Sequence, residues 1–384
     1  MKKHLLFLVG ICLLLLSCSS KNLLQVGVLI DETGVCKSTG LATKAALELK
    51  QEQLQQLFNN NSYKQIELQF ADTKSDPNLA LKHVKEFYKK GIDIIIGPGT
   101  SQELAAIANF VNTNDILILS YASTAHSLAI SRDNIFRYVT TDISQSKVVA
   151  KFLRKNGREY LWQLYRNDLG NISVANLVNG QFRRSGGKKV RRFIYQPGQS
   201  DFYEILAQIS SEIEGKEKEK CAVYVAGFSE VIKILAQASE FTNLYDNVLW
   251  VGSDGTAKLK GVIENHASLR FAMYSKFTVP LNKQQDSFEY KKFAMKLENK
   301  IGFSPNIYTI TASDILQILA YCGNISDFSK NKKKAIYEYS AKNYGLTGNT
   351  KLNKNGDRKE WGYELWRVQG TIAGHKWKSI GIVN

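Results

Sequence analysis

The chain has 384 residues, too many for one hydrophobic core and suited to two domains of ordinary size. Hydrophobic residues make up 44% of it and charged residues 22%, which excludes a disordered, collagen-like or disulfide-stapled chain. The formal net charge is +16, a balance that suits attraction to anionic lipid or wall polymer. The densest basic segments carry no interleaved stacking aromatics, so we expect no nucleic-acid partner.

The first residues have the pattern of an export signal. Lys2 and Lys3 precede an uncharged apolar run over residues 5–16, and small polar residues follow from Ser17. This is the one stretch of the sequence suited to a bilayer core, and it is too short to span about 30 Å of hydrocarbon comfortably. The sequence therefore excludes a polytopic transporter.

The segment Leu15-Leu16-Ser17-Cys18 resembles a bacterial lipobox. The resemblance implies that residues 1–17 are a lipoprotein signal peptide, that Cys18 is acylated, and that residues 18–24 form a tether to the membrane. We therefore expect a lipid-anchored, extracytoplasmic protein of the bacterial cell envelope, in the periplasm or on the outer cell surface.

From residue 25 onward, short β-branched runs alternate with helical patterns. In this first part the predicted strands cover residues 26–30, 65–70, 93–96 and 116–119, and the predicted helices cover residues 41–58, 78–90 and 102–112. Continuous apolar strands between amphipathic helices predict a parallel sheet that is covered on both faces.

The same alternation resumes after a soft boundary at residues 138–141. Its predicted strands cover residues 161–165, 189–195, 221–225 and 248–252, and its predicted helices cover residues 144–156, 171–184, 202–214 and 231–240. The C-terminal part, from residue 288, no longer alternates in this way. Its predicted helices cover residues 288–301, 304–323 and 332–343, and its predicted antiparallel strands cover residues 362–368 and 380–383. The sequence therefore predicts an α/β fold with two doubly wound units.

Ligands of open α/β sheets bind beyond the carboxyl ends of the strands, so the residues after each predicted strand are the candidates. After the strand at 93–96 the chain reads Gly97-Pro98-Gly99-Thr100-Ser101 and enters a helix. Small residues let the backbone approach a ligand, and the N–H groups of a helix start attract an anion. Thr100 and Ser101 add hydroxyls, although one of them can instead cap the helix.

Further strand ends carry suitable groups. Ser120-Tyr121-Ala122-Ser123-Thr124 offers a carbonyl, an N–H group and hydroxyls that suit the ammonium and carboxylate of an α-amino acid, with a plain polar turn as the alternative. Asp254 stands between small residues after the strand at 248–252 and can pair with an ammonium, although Asp also caps turns. Phe228, after the strand at 221–225, can close an apolar wall or simply pack in the core.

No catalytic constellation stands out in the sequence. None of the five His residues is near a plausible nucleophile along the chain, and no Gly-x-Ser-x-Gly or His-Glu-x-x-His run occurs. Cys36, Cys221 and Cys322 show neither metal-binding nor disulfide spacing. We therefore expect no enzymatic activity, metal or cofactor, and these absences count against an envelope hydrolase.

Taken in order, the motifs resemble the type I periplasmic binding proteins, and among them the Leu/Ile/Val-binding-protein-like substrate-binding components of ABC importers. The resemblance rests on the lipobox, Val26-Gly27-Val28-Leu29-Ile30, the two loops above, Phe136-Arg137-Tyr138-Val139 and Gly252-Ser253-Asp254-Gly255. It implies two Rossmann-like lobes joined by a three-strand hinge. The implied lobes are residues 25–140 with 276–346 and residues 141–275 with 347–384, with crossings near 274–277 and 345–350.

The resemblance also implies roles for single residues. The implied ligand-binding residues are Thr100, Ser101, Tyr121, Ala122, Ser123, Thr124, Phe228 and Asp254. The first two would bind a ligand carboxylate with help from the Thr124 backbone. The Ala122 carbonyl and the Thr124 hydroxyl would receive an ammonium, which Asp254 would also pair with, and Phe228 would contact the ligand from the second lobe.

The first loop, residues 31–39, departs from the family. It carries Glu32, Cys36 and Lys37 where relatives are usually small and apolar around a Gly, and Tyr121 replaces a frequent Pro. These positions shape the side-chain pocket, so the resemblance leaves open which side chain the ligand carries.

Our main hypothesis is therefore a lipid-anchored solute-binding protein without enzymatic activity. It would capture an amino acid or a similar small polar solute in an interlobe cleft and present it to an ABC permease. The alternative is a lipoprotein that uses the same fold as an interaction partner, a cell-wall synthesis activator or a sensor, without transport. The basic charge and the atypical first loop motivate that alternative.

Overall fold

A computed structural model describes residues 23–57, 65–245, 247–359, 361–372 and 374–382. The predicted signal peptide, the lipobox and Cys18 lie outside these residues. Within the described ranges, no helix has the length and apolar character needed to cross a bilayer.

Five parallel strands form the first sheet, in the order β2-β1-β3-β4-β5. They are β1 (Leu23–Ile30), β2 (Gln65–Asp72), β3 (Ile94–Ile96), β4 (Leu117–Ser120) and β5 (Ile135–Arg137). The helices between them are α1 (Lys37–Leu57), α2 (Pro77–Lys89) and α3 (Ser101–Thr113). Strands β3 and β4 are buried along their whole length because apolar side chains pack on both faces of the sheet.

Seven strands form the second sheet, in the order β14-β13-β10-β9-β8-β6-β7. They are β6 (Tyr160–Arg166), β7 (Lys189–Tyr195), β8 (Cys221–Ala226), β9 (Leu249–Gly252), β10 (Thr278–Asn282), β13 (Tyr363–Thr371) and β14 (Gly374–Ile382), while β11 (Tyr344–Gly345) and β12 (Gly348–Asn349) pair separately. Strands β6 to β10 are parallel, whereas β13 and β14 are antiparallel to their neighbours. The helices of this part are α4 (Asp142–Lys155), α5 (Leu169–Arg184), α6 (Tyr203–Ile213), α7 (Val231–Ala238), α8 (Lys260–Glu264) and α9 (His266–Tyr274).

Tail helices return to the first sheet. They are α10 (Phe288–Ile301), α11 (Ile307–Cys322) and α12 (Lys332–Ser340). Helices α10 and α11 pack on α1, where Lys300 pairs with Glu48 at 2.9 Å and Lys50 Nζ donates to Gln317 Oε1 at 3.0 Å. The chain therefore passes between the two sheets after β5, after β10, and again before β13.

The two-sheet α/β architecture agrees with the sequence prediction, but β10 does not follow from the sequence. It contains Pro280, and a proline normally argues against a central strand. Strand β10 pairs with β9 only at Thr278, so Pro280 has a ladder partner on one side alone, in β13. The predicted return to the first lobe lies near residues 274–277, whereas the chain leaves the second sheet after Asn282. The exact lobe boundaries stay a prediction.

Candidate functional site

A cavity of about 350 Å³ lies where loops from the ends of both sheets meet. This volume is in the range of small-molecule sites. Among the residues that line it are Thr100, Ser101, Ala122, Thr124, Phe228 and Asp254. Two other predicted residues do not line it: Tyr121 is fully buried in the core of the first sheet, and the Ser123 hydroxyl donates to Ser101 Oγ at the start of α3.

The cavity meets the first turn of α3, where Thr100 is the N-cap residue. The Thr100 hydroxyl donates to Glu103 Oε2 at 2.5 Å and accepts the Glu103 N–H at 3.3 Å, which completes a capping box. Thr100 thus caps the helix, as the alternative interpretation has it. The N–H groups of Ser101 and Gln102 have no acceptor within a helix, so an anion can bind there through the backbone.

Ser101 and the loop after β4 hold each other in place. Ser101 Oγ accepts hydrogen bonds from Ser123 Oγ at 3.0 Å and from the Ala125 N–H at 3.2 Å. The side chain of Ser123 therefore serves to fix the loop to Ser101, while Ala122 and Thr124 line the cavity.

Arg137, the last residue of β5, anchors the same loop from behind. Its Nη1 donates to Ala125 O at 2.7 Å, and its Nε donates to Asp357 Oδ1 at 2.6 Å. Both charged side chains are buried, with exposures of 1% and 2%. Because a buried ion pair is stable only when further hydrogen bonds satisfy it, the pair and the loop depend on each other.

Asp254 follows β9 and lines the cavity from the second sheet. Its carboxylate accepts the Gly255 N–H at 2.8 Å and the Tyr308 hydroxyl at 2.5 Å, and its own N–H donates to Gln145 Oε1 at 3.1 Å. Burial raises the pKa of the Asp254 carboxyl, and the bond from Tyr308 lowers it in part. Tyr308 was not predicted as a site residue, because an aromatic in an apolar helix is typical of a core position.

Asp142 supplies a second carboxylate on the same wall. It is the first residue of α4 and is 1% exposed, and its Oδ2 has no hydrogen-bond partner among the described residues. Burial and the neighbouring charge of Asp254 raise the pKa of Asp142 to about 7. Sequence analysis does not single it out, although an acidic residue directly after the boundary at 138–141 is a signal of the kind used for Asp254.

Of the described residues that line the cavity, Arg166 is the cationic one. It lies at the end of β6, its Nε is 3.0 Å from Asp168 Oδ2, and its Nη1 donates to Glu230 Oε1 at 3.4 Å. Its guanidinium also lies over the Phe228 ring, 5.7 Å from the centroid. Phe228 is therefore held in place by a cation of its own sheet while it faces the cavity.

The first loop brings polar groups to the opposite wall. Asp31 is 1% exposed, and its Oδ1 accepts a hydrogen bond from Thr73 at 3.2 Å. Burial raises the pKa of Asp31 and raises that of the neighbouring Glu103 to about 8. Burial also raises the pKa of the Cys36 thiol well above its usual range, so this lining residue stays neutral.

Hydrogen bonds join the two sides of the cavity at its edge. The Leu169 N–H, at the start of α5, donates to Gln102 Oε1 on α3 at 2.8 Å. The Tyr308 hydroxyl likewise connects α11, which packs on the first sheet, to Asp254 beside the second. A ligand held between the same elements would add to these contacts.

The wall offers hydrogen bonds and charges for binding. Among the described residues, those that line the cavity include no His and no Lys. Within the described ranges, no group of three or more His, Cys, Asp or Glu side chains could hold a metal ion. The arrangement suits recognition of a small polar molecule.

Comparison with known proteins places the chain among ligand-binding proteins. The family model for the receptor family ligand binding region matches residues 42–371. An uncharacterized protein of Methanocaldococcus jannaschii is 27% identical over 388 residues, which cover 95% of this chain and 90% of that protein. A Leu/Ile/Val-binding protein of Rhizobium johnstonii is 24% identical over 193 residues, half of each chain.

Solved structures of ABC-transporter binding proteins share the fold. A leucine-binding protein of Thermotoga maritima is 18% identical, with a TM-score of 0.75 over 92% of this chain and 97% of that one. A solute-binding protein of R. palustris in complex with benzoate is also 18% identical, with a TM-score of 0.78 over 94% and 96%. These matches confirm the type I periplasmic binding fold that the motifs predict.

Proposed function

Because the chain belongs to the family of receptor ligand-binding regions, we propose that it captures an amino acid or a similar small polar solute between its two lobes and presents it to an ABC permease. The protein would be lipid-anchored through Cys18 and extracytoplasmic. It would bind and release the solute without making or breaking a covalent bond.

The observation that carries this proposal is the convergence of complementary groups on one cavity. Asp254 lines the cavity from the second sheet, and Ala122 and Thr124 line it from the first. Asp254 would pair with an ammonium, which the Ala122 carbonyl and the Thr124 hydroxyl would also receive. The backbone N–H groups at the start of α3 suit a carboxylate. An α-amino acid requires this mixture, with an anion site and a cation site close together.

The binding free energy follows from these groups. Charge-assisted hydrogen bonds contribute about 1.5–3 kcal/mol each. Four or five of them, less the cost of ordering the solute and closing the lobes, leave roughly −8 kcal/mol, a micromolar dissociation constant. Because the solute contacts both lobes, it favours the closed state, and a permease that recognises the closed shape senses occupancy.

The test is a thermal-denaturation screen of the full chain, purified with detergent, against amino acids, amides, short peptides and aromatic acids. A solute at about a hundred times its dissociation constant stabilises the folded state by about 2.7 kcal/mol. Calorimetric titration of each hit then gives its affinity, with Asp254→Asn as the variant that removes the charge and keeps the size.

The alternative function is that of an interaction partner in the envelope, an activator of cell-wall synthesis or a sensor. The net charge of +16 favours it, since such a surface is attracted to anionic wall polymer. No stabilisation by any compound of the screen, together with co-purification of an envelope protein or polymer, would support this alternative over solute binding.

A further inference from the structure

The cavity wall is acidic although the chain is strongly basic. The charged residues that line it are Asp31, Asp76, Asp142, Asp168, Asp254 and Arg166. The guanidinium of Arg166 is already paired with Asp168 and Glu230. Asp76 is the N-cap of α2 and accepts the Asn78 N–H at 2.8 Å. Asp31, Asp142 and Asp254 are left on the wall, and the ion pairs of the described residues include none of them.

Asp142 and Asp254 both line the cavity, and the Asp254 N–H donates to Gln145 Oε1, one turn after Asp142 in α4, at 3.1 Å. We call these two residues the acid pair on the second-sheet side. Asp142 Oδ2 and the hydroxyl of the lining residue Ser253 are buried and have no hydrogen-bond partner among the described residues. Arg137 is the cation that acts electrostatically on Asp142, and it is itself paired with Asp357. A buried acceptor without a donor is costly, and an ammonium group supplies only donors.

Asp31 lies across the cavity from this acid pair, at the end of β1 in the first sheet. Gly99 leaves the space that its carboxylate uses, because a Cβ on Gly99 would be 2.7 Å from Asp31 Oδ2. The lining residues of this side combine the polar Ser38, Thr39 and Ser75 with Val35, Cys36 and Pro77. A second cation at this end of the cavity would have the carboxylate of Asp31 and these hydroxyls as acceptors.

We propose that the solute carries two separated cationic nitrogen groups, one bound by the acid pair Asp142 and Asp254 and the other by Asp31. This inference rests on the proposed solute-binding function. Basic amino acids and linear aliphatic diamines both carry two such groups. Only the amino acids also carry a carboxylate, which the start of α3 can bind. A neutral aliphatic amino acid would supply a cation to the acid pair only, and it would leave Asp31 with its hydrogen bond from Thr73 but without a cation.

Four compounds that differ by one group test the proposal on the full chain by calorimetric titration. L-lysine has two ammonium groups and a carboxylate; L-norleucine lacks the side-chain ammonium, 6-aminohexanoate lacks the α-ammonium, and cadaverine lacks the carboxylate. L-arginine and L-leucine extend the set. We expect lysine, arginine or cadaverine to bind at least about thirtyfold more tightly than norleucine, with an affinity that falls as salt is raised.

Each outcome decides a separate point. If lysine binds more tightly than cadaverine, the solute is a basic amino acid. If cadaverine binds more tightly than lysine, the solute is a diamine. If norleucine or leucine binds as tightly as lysine, arginine and cadaverine, the inference is overturned and the solute-binding function stays intact. No binding by any compound of this set or of the wider screen overturns the solute-binding function and the inference with it.

Two variants test whether Asp31 is the partner of the second cationic group of the solute. The ratio to measure is the affinity for lysine, or for cadaverine, divided by the affinity for norleucine. We expect Asp31→Asn to reduce this ratio by about tenfold or more, because the variant removes one charge and keeps the size of the side chain. Asp286→Asn makes the same charge change on a side chain that is 95% exposed and does not line the cavity, and it should leave the ratio unchanged. An unchanged ratio in Asp31→Asn, with circular dichroism showing a folded protein, would overturn the role of Asp31.

Discussion

The Tyr308 hydroxyl donates a 2.5 Å hydrogen bond to Asp254 Oδ2, and this bond links α11, packed against the first sheet, to the end of β9 in the second. Both side chains are buried, and burial raises the pKa of each. The same carboxylate therefore serves as a contact between the lobes and as the proposed partner of a solute ammonium.

Tyr308→Phe should weaken the closed form of the molecule. A hydrogen bond to a charged group contributes about 1.5–3 kcal/mol, so its loss should shift the lobes toward the open form and weaken solute binding by about ten- to hundredfold. Small-angle scattering without solute should give a larger radius of gyration, and calorimetry should give the lower affinity. An unchanged radius together with an unchanged affinity would show that the bond has no part in closure.

Asp254→Asn tests the charge of the carboxylate separately from its shape. The amide keeps an oxygen for Tyr308, so the contact between lobes persists, while the ammonium of a solute loses its ionic partner. We expect binding of an amine-bearing solute to weaken by about 2–5 kcal/mol. Asp286→Asn is the matched surface control. Equal affinities for Asp254→Asn and the control would remove Asp254 from the binding site.

The pH dependence of binding follows from Asp142 and Asp254. Burial raises the pKa of Asp142 to about 7, so this carboxyl gains a proton as the pH falls below neutrality. Burial also raises the pKa of the neighbouring Asp254 above its ordinary value. A cationic solute requires the ionised forms, and we expect its affinity to fall between pH 8 and pH 6. Asp142→Asn should flatten this profile, whereas a profile that stays steep in the variant would assign the effect to another group.

Stability without solute should change with pH in the opposite direction. Asp142, raised from 3.8 to about 7, and Glu103, raised from 4.5 to about 8, hold protons in the folded state that the unfolded chain has already released. Unfolding is therefore favoured as the pH rises from about 4 to about 8. We expect a higher melting temperature at pH 5 than at pH 8, measured by calorimetry, with a smaller difference in Asp142→Asn.

The buried pair of Arg137 and Asp357 should matter more than a surface pair. Asp357→Asn leaves the guanidinium buried without a charge partner, and we expect the free energy of unfolding to fall by about 3–5 kcal/mol in urea titrations. Glu48→Gln breaks the half-exposed pair with Lys300 and should cost about 1 kcal/mol or less. Similar losses in the two variants would contradict the support that Arg137 gives to the loop carrying Ala122 and Thr124.

The sequence predicts those features that short segments determine. The apolar runs predict most strands of the two sheets, and the strand-end rule finds Thr124, Phe228 and Asp254, which do line one cavity. It also selects Thr100, whose hydroxyl turns out to serve the capping box.

The remaining features depend on contacts between distant parts of the chain. Tyr308 reaches Asp254 from 54 residues away, and nothing in its apolar helix marks it as a site residue. Strand β14 is exposed at all positions but Trp377, so it lacks the alternation that marks a half-buried strand, and sequence analysis finds only its end. Strand β10 is concealed by Pro280, which is tolerated because β9 pairs with this strand at one residue only.

The capping box at Thr100 has an evolutionary consequence for solute recognition. The Thr100 hydroxyl is hydrogen-bonded to Glu103, so α3 offers the cavity its backbone N–H groups. Every amino acid except proline supplies such a group. Substitutions along this turn other than proline therefore keep the backbone donors, whereas residues 31–39 contribute five side chains to the opposite wall: Asp31, Val35, Cys36, Ser38 and Thr39. Under the proposed function, the choice of solute would therefore change through substitutions in this loop, while the backbone donors at the start of α3 stay the same.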